Sequence, residues 1–182
     1  MWKIVNYSIS YTLDNGIVST ANKTSYTVET STFTLNNPTK TGYTFKGWSG
    51  TDLTGDSNTT VTISKGSIGD RSYTANWTIN SHQFTLGSAT HVNTTGSTAS
   101  GSKQYGSTIT LKATVDAGYG FAGWTSSNTS LISNQSSANV SFSMPDGAIT
   151  MTPSVSANQY TITYDIVSNA NSGDTLTNKP ST

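Results

Sequence analysis

Acid–base chemistry has few residues to work with in this chain, and their spacing narrows it further. The 9 acidic residues include a single glutamate, Glu29, and the aspartates are scattered, so the paired carboxylates of glycoside hydrolysis are not evident. His82 and His91 are the only imidazoles, and neither has a cysteine or a carboxylate cluster beside it in sequence to complete a metal-ligand set. A Ser/His/Asp arrangement needs an imidazole base, and residues 1–81 contain none, which rules out a catalytic site repeated along the chain. Asp52 and Asp56 share one polar loop that offers at most loose calcium ligation, because the regular ligand ladder of a calcium loop is missing. Non-enzymatic function is the expectation, with no cofactor.

Gly118-Tyr119-Gly120-Phe121-Ala122-Gly123 satisfies the letter of the G-x-G-x-x-G dinucleotide fingerprint. That fingerprint works by bringing pyrophosphate to a helix N-terminus, and here Trp124 and a Ser/Thr/Asn loop follow without helical periodicity. The same hexapeptide contributes to a second candidate chemistry. Tyr43 and Trp48, with Tyr119 and Trp124, are aromatics of the kind that stack on sugar rings when exposed on a β surface. A small domain without cysteine needs such rings inside, so core packing is their expected role, with a sugar-stacking platform as the alternative.

These rings are positioned by a repeat. Gly42-Tyr43-Thr44-Phe45-Lys46-Gly47-Trp48 recurs as Gly118-Tyr119-Gly120-Phe121-Ala122-Gly123-Trp124, and 118 minus 42 is 76. Aromatic-led alternating runs at Tyr7, Phe84 and Tyr160 are 77 and 76 residues apart and read as half-buried strands opening three successive units. Self-similarity at this spacing points to like units joined in series, whose usual work is reach, display or adhesion. The third run stops at Thr182, and Trp2-Lys3-Ile4 resembles the junction Trp77-Thr78-Ile79, so the sequence reads as a segment of something longer.

Composition sets further bounds. With 9 basic and 9 acidic residues the formal net charge is zero, which gives no positive field for a phosphate backbone and makes nucleic acid an unexpected partner. No stretch approaches the roughly 18–20 apolar residues that span a bilayer, so membrane insertion by this segment is not expected. Cysteine is absent, and a unit of about 75 residues buries only about 60–65% of its unfolded surface, so each core rests on a few large aromatics and gains from contact with its neighbours. Ser and Thr make up roughly a third of the chain, and β-branched residues and turn formers favour strands over helices.

Along the first unit the pattern predicts strands over 7–13, around Tyr26–Val28, over Thr32–Leu35, 42–48, 59–63 and 73–77, with at most one short helical turn near 65–70. The second unit predicts strands over 83–89, 107–115, 118–124, 139–144 and 149–155, with a glycine- and serine-rich hairpin region before Gly106 and a turn at Pro145-Asp146-Gly147.

Leu35-Asn36-Asn37-Pro38-Thr39-Lys40-Thr41 leading into the Gly42–Trp48 strand, together with Tyr73-Thr74-Ala75-Asn76-Trp77, resembles the internalin-type B-repeat, also called the Listeria–Bacteroides repeat. Tyr105-Gly106-Ser107, Leu111-Lys112-Ala113 and Phe142-Ser143-Met144-Pro145-Asp146-Gly147 are similar to the divergent bacterial B-repeat. The first turn departs from the family's usual Asp-Leu-Asn-Gly-Gly, reading Leu13-Asp14-Asn15-Gly16. The resemblance implies a mainly β protein, with α+β as the alternative, built of tandem small β-grasp-like, ubiquitin-like domains. The expected boundaries are 1–80 for a B-repeat-like domain, 81–157 for a divergent one and 158–182 for the start of a truncated third. It further implies an extracellular, cell-wall-associated bacterial location and a spacer or adhesive role, with neighbouring repeats, a glycan or a host surface protein as partners, and it carries over no catalytic residue.

Overall fold

The computed structural model describes residues 3–128 and 136–163; Trp2 and the third unit beyond Thr163, including Tyr164 and Ile166, lie outside the described residues. The first unit contains β1 (Tyr7–Thr12), β2 (Ser25–Tyr26), β3 (Phe33–Thr34), β4 (Tyr43–Gly50), β5 (Thr62–Ile63) and β6 (Arg71–Ile79). The second contains β7 (Ser81–Leu86), β8 (Val92–Asn93), β9 (Gly101–Gln104), β10 (Thr108–Lys112), β11 (Thr114–Val115), β12 (Tyr119–Ser126), β13 (Asn139–Ser143) and β14 (Ile149–Ala157). No helix occurs among the described residues; at 64–67 there is only a turn, closed by Ser67 N–H donating to the Ser64 carbonyl at 3.2 Å.

Both units use one topology. The first sheet runs β2-β1-β6-β4 and the second β9-β7-β14-β12, each with its opening and closing strands parallel at the centre and antiparallel partners outside. This is the mixed sheet expected of a β-grasp-like unit. The place of a helix on its inner face is taken by a two-stranded ribbon, β3 with β5 in the first unit and β10 with β13 in the second. The core lies between sheet and ribbon: Ile9, Tyr26, Leu35, Trp48, Ile63 and Tyr73 in one unit, and Phe84, Ile109, Leu111, Trp124, Met144 and Met151 in the other.

The repeated heptapeptide encodes a bulge. Phe45 and Trp48 are three apart, an odd spacing that a regular strand would send to opposite faces. The β4–β6 register slips between Phe45 and Gly47, and the β12–β14 register slips between Phe121 and Gly123, so each extra residue restores both rings to the core side. The rings then meet edge to face, at 5.5 Å for Phe45–Trp48 and 5.6 Å for Phe121–Trp124. Gly47 takes φ 147°, and a Cβ there would run into the Ser57–Asn58 backbone, which is why glycine stands before each tryptophan.

Strand register also corrects the alignment of the units. Ile9 pairs with Arg71 and Phe84 with Ile149, so the residue equivalent to Phe84 is Ile9, and the offset is 75 instead of the 77 counted from Tyr7. A slip of two keeps every side chain on its own face, which hides it from alternation. Tyr160 and Ile162, read as a third opening strand, are 75% and 72% exposed and without strand pairing among the described residues; alternation alone does not make a strand where no neighbouring strand shares its hydrogen bonds.

The departing first turn is of the I′ kind. Asp14 and Asn15 both have positive φ, at 49° and 63°, and Gly16 N–H donates to the Leu13 carbonyl at 2.9 Å.

Trp48 donates its indole N–H to Asn37 Oδ1 at 2.9 Å, whereas at the equivalent position of the second unit (113 minus 37 is 76) stands Ala113, and Trp124 Nε1–H finds no partner among the described residues. Replacing Trp48 by Ala is therefore expected to cost about 3–5 kcal/mol. Asn37→Ala, which orphans the same buried N–H, is expected to cost about 1–3 kcal/mol. Urea unfolding of each variant checks both values and their order.

Candidate functional site

Each residue singled out for sugar stacking has a definite place. Trp48 and Trp124 are core rings, 0% and 1% exposed, and cannot present a face to a ligand. Tyr119 is half-buried and stacked on His91 with centroids 3.9 Å apart and planes 12° apart. Tyr43 is half-buried at the seam between the units, where it meets Tyr105 edge-on at 6.1 Å. The four therefore do not form one platform.

The seam itself is the most densely bonded polar region of the molecule. A single residue, Asn80, separates β6 from β7. Its N–H donates to the Gly42 carbonyl at 2.9 Å and its carbonyl accepts the Tyr105 N–H at 2.8 Å, so its backbone is tied to one unit on each side. Its side-chain amide donates to Asp146 Oδ1 at 2.9 Å, and its Oδ1 accepts the Thr44 hydroxyl at 2.7 Å.

Asp146 completes the clamp from the Pro145-Asp146-Gly147 turn. Oδ1 also receives His82 Nε2 at 2.8 Å, and Oδ2 receives the Gly42 N–H at 2.9 Å from the first unit. Gly42 has φ 78°, and a Cβ on it would collide with the Tyr105 ring, so the glycine serves both the turn and the docking of the second unit. The Asn80 amide foremost, then His82 and the Gly42 N–H, pull the Asp146 carboxyl down from 3.8 to about 2.

Beside this clamp opens a groove of about 640 Å³. Tyr43, Phe45 and Trp77 of the first unit and Tyr105 of the second line it, with Lys40 and Thr41 at the rim. Phe45 and Trp77 meet edge to face at 5.5 Å, and Trp77 is fixed by its indole N–H donating to the Leu13 carbonyl at 3.2 Å. Lys40 Nζ sits 4.2 Å from the Tyr43 ring centroid and 2.8 Å from Asp14 Oδ2, so its charge is neutralised where it stands.

Other candidate chemistry is dispersed. Asp52 pairs with Arg71 at 2.7 Å and Asp56 with Lys46 at 2.6 Å, which sends the two loop carboxylates to different cations. His91 Nδ1 lies 3.2 Å from Asp116 Oδ2 while its ring covers Tyr119. The Gly118–Gly123 fingerprint runs along β12, with no helix N-terminus for a phosphate.

Two matches cover most of the chain. Residues 7–71 match the Listeria-Bacteroides repeat domain family, and residues 86–159 match the Divergent InlB B-repeat domain family. The chain is a tandem of B-repeat domains. Repeats of this type are carried by bacterial surface proteins. No curated protein and no solved structure matches the chain significantly. The sequence reading of this B-repeat pair did not single out the clamp: Asn80 looked like linker, Asp146 like a turn residue and Tyr105 like a strand end, because a contact 104 residues long, from Gly42 to Asp146, leaves no local pattern.

Because the docked carboxyl is more acidic than the undocked one, its contribution to the seam is present above about pH 4 and is lost as pH falls toward about 2. The Gly42 amide resonance should follow this titration with a midpoint near 2; a midpoint at the ordinary 3.8 would show that the carboxyl is not held.

Proposed function

We propose that this B-repeat pair is a non-catalytic stalk segment of a secreted, wall-attached bacterial surface protein, holding what it carries at a fixed distance and angle from the cell. The observation that supports this most is the seam: a one-residue link whose backbone and side-chain groups are bonded to both units. A flexible tether would instead use several Gly and Ser residues, whose end-to-end distance grows only as the square root of their number. Fixing Asn80 converts chain length into reach. The histidines fit the same reading, since His82 serves the clamp and His91 packs against Tyr119.

Polar Ser and Thr faces suit a stalk held in water, and short edge strands such as β2, two residues long, limit unwanted strand addition. Neighbouring repeats are then the principal partners.

The absence of cysteine makes the test direct. Spin labels on Thr60→Cys and Ser143→Cys, both exposed and in different units, should give one narrow distance distribution. Gly42→Ala, which drives a methyl group into Tyr105, should broaden it while leaving each unit folded. An equally broad distribution in the unaltered chain would overturn the stalk reading.

A further inference from the structure

We infer that the seam groove is a binding site for a neutral oligosaccharide, built jointly by the two repeats. The lining supplies what a pyranose chain needs: the aromatic faces of Tyr43, Trp77 and Tyr105 for its C–H surfaces, with the Thr41 hydroxyl at the rim for its own hydroxyls. The volume of about 640 Å³ falls within the range of small-ligand sites, roughly 300–1,000 Å³. Charge points to a neutral ligand, because the one rim cation, Lys40, is already paired with Asp14 and lies over Tyr43.

The second unit shows that the fold does not require this groove. Trp77 stands opposite Phe45, and the residue opposite Phe121 at the same register is Val155. Lys40 is replaced 76 residues on by Asp116, since 116 minus 40 is 76, and Tyr119, the counterpart of Tyr43, is covered by His91. The same sheet thus packs without Trp77's equivalent, so the aromatic lining of the first seam is additional to what stability demands. Sequence alone pointed to Trp48 and Trp124 as sugar platforms, and both are buried; the ligand-facing rings are Tyr43, Trp77 and Tyr105.

This site rests on the docked seam of the stalk reading, because Tyr105 comes from the second repeat. Saturation-transfer NMR on the whole chain, with neutral hexasaccharides of β-1,4-glucose, α-1,4-glucose, β-1,4-N-acetylglucosamine and α-mannose as probes, tests it. Transfer to ring protons of at least one probe is expected. Thr41→Trp, which fills the groove from its exposed rim, and Tyr105→Ala should each lower that affinity by about tenfold or more, while Tyr160→Ala, outside the groove, should not. No transfer to any of the four probes, or binding that survives Thr41→Trp, would overturn the site. Spin-label distances on the same unaltered protein separate the two failures: a narrow distribution without sugar binding removes the groove and keeps the stalk, whereas a broad one removes the stalk.

Discussion

Asn80 has no hydrogen-bonding group left over. Its N–H goes to Gly42, its carbonyl to Tyr105, its amide nitrogen to Asp146 and its amide oxygen to Thr44. Two of these partners belong to the repeat before it and two to the repeat after it. A residue so placed cannot rotate about its own φ and ψ without breaking bonds on one side or the other, and each of those lost bonds would count for about 1 kcal/mol. The relative orientation of the repeats, the edge contact of Tyr43 with Tyr105 and the groove beside them all follow from holding this one position.

The two repeats share a frame and differ in what they add to it. Parallel central strands, the bulge before the tryptophan and the sheet-on-ribbon core are common to both. The first repeat surrounds Trp48 with Tyr11, Phe45 and Tyr73 and gives its indole an acceptor. The second packs Trp124 among Phe84, Ile109, Leu111 and Met151, and leaves its N–H without a partner among the described residues. Divergence is permitted where the tryptophan's surroundings can be refilled with apolar volume, and it is sharpest at positions facing the seam.

What the sequence reveals and conceals follows from the range of each interaction. Strands from 42 to 48 and from 118 to 124 are visible because glycine, aromatic and tryptophan recur at one spacing, and the bulge is implicit in the odd interval between Phe45 and Trp48. The short strands Val92–Asn93 and Gly101–Gln104 are not visible, since a serine- and glycine-rich stretch carries no alternation and is held by pairing with distant Thr114–Val115 and Ser81–Phe84. The two-residue misalignment of Tyr7 with Phe84 arises because a period of two is blind to a shift of two. Of the candidate rings, Tyr43 lies where a ligand could touch it. Its companions Trp77 and Tyr105 are 34 and 62 residues further on, and only the docking of the repeats brings them together.

The central claim is that two repeats joined by one residue move as a single body. Residual dipolar couplings of backbone amides in a weakly aligned sample measure it most directly, because each repeat reports its own alignment tensor. The account predicts the same tensor, in magnitude and orientation, for the two sheets within experimental error. Tensors of clearly different magnitude would mean that the repeats reorient independently, and would contradict the claim.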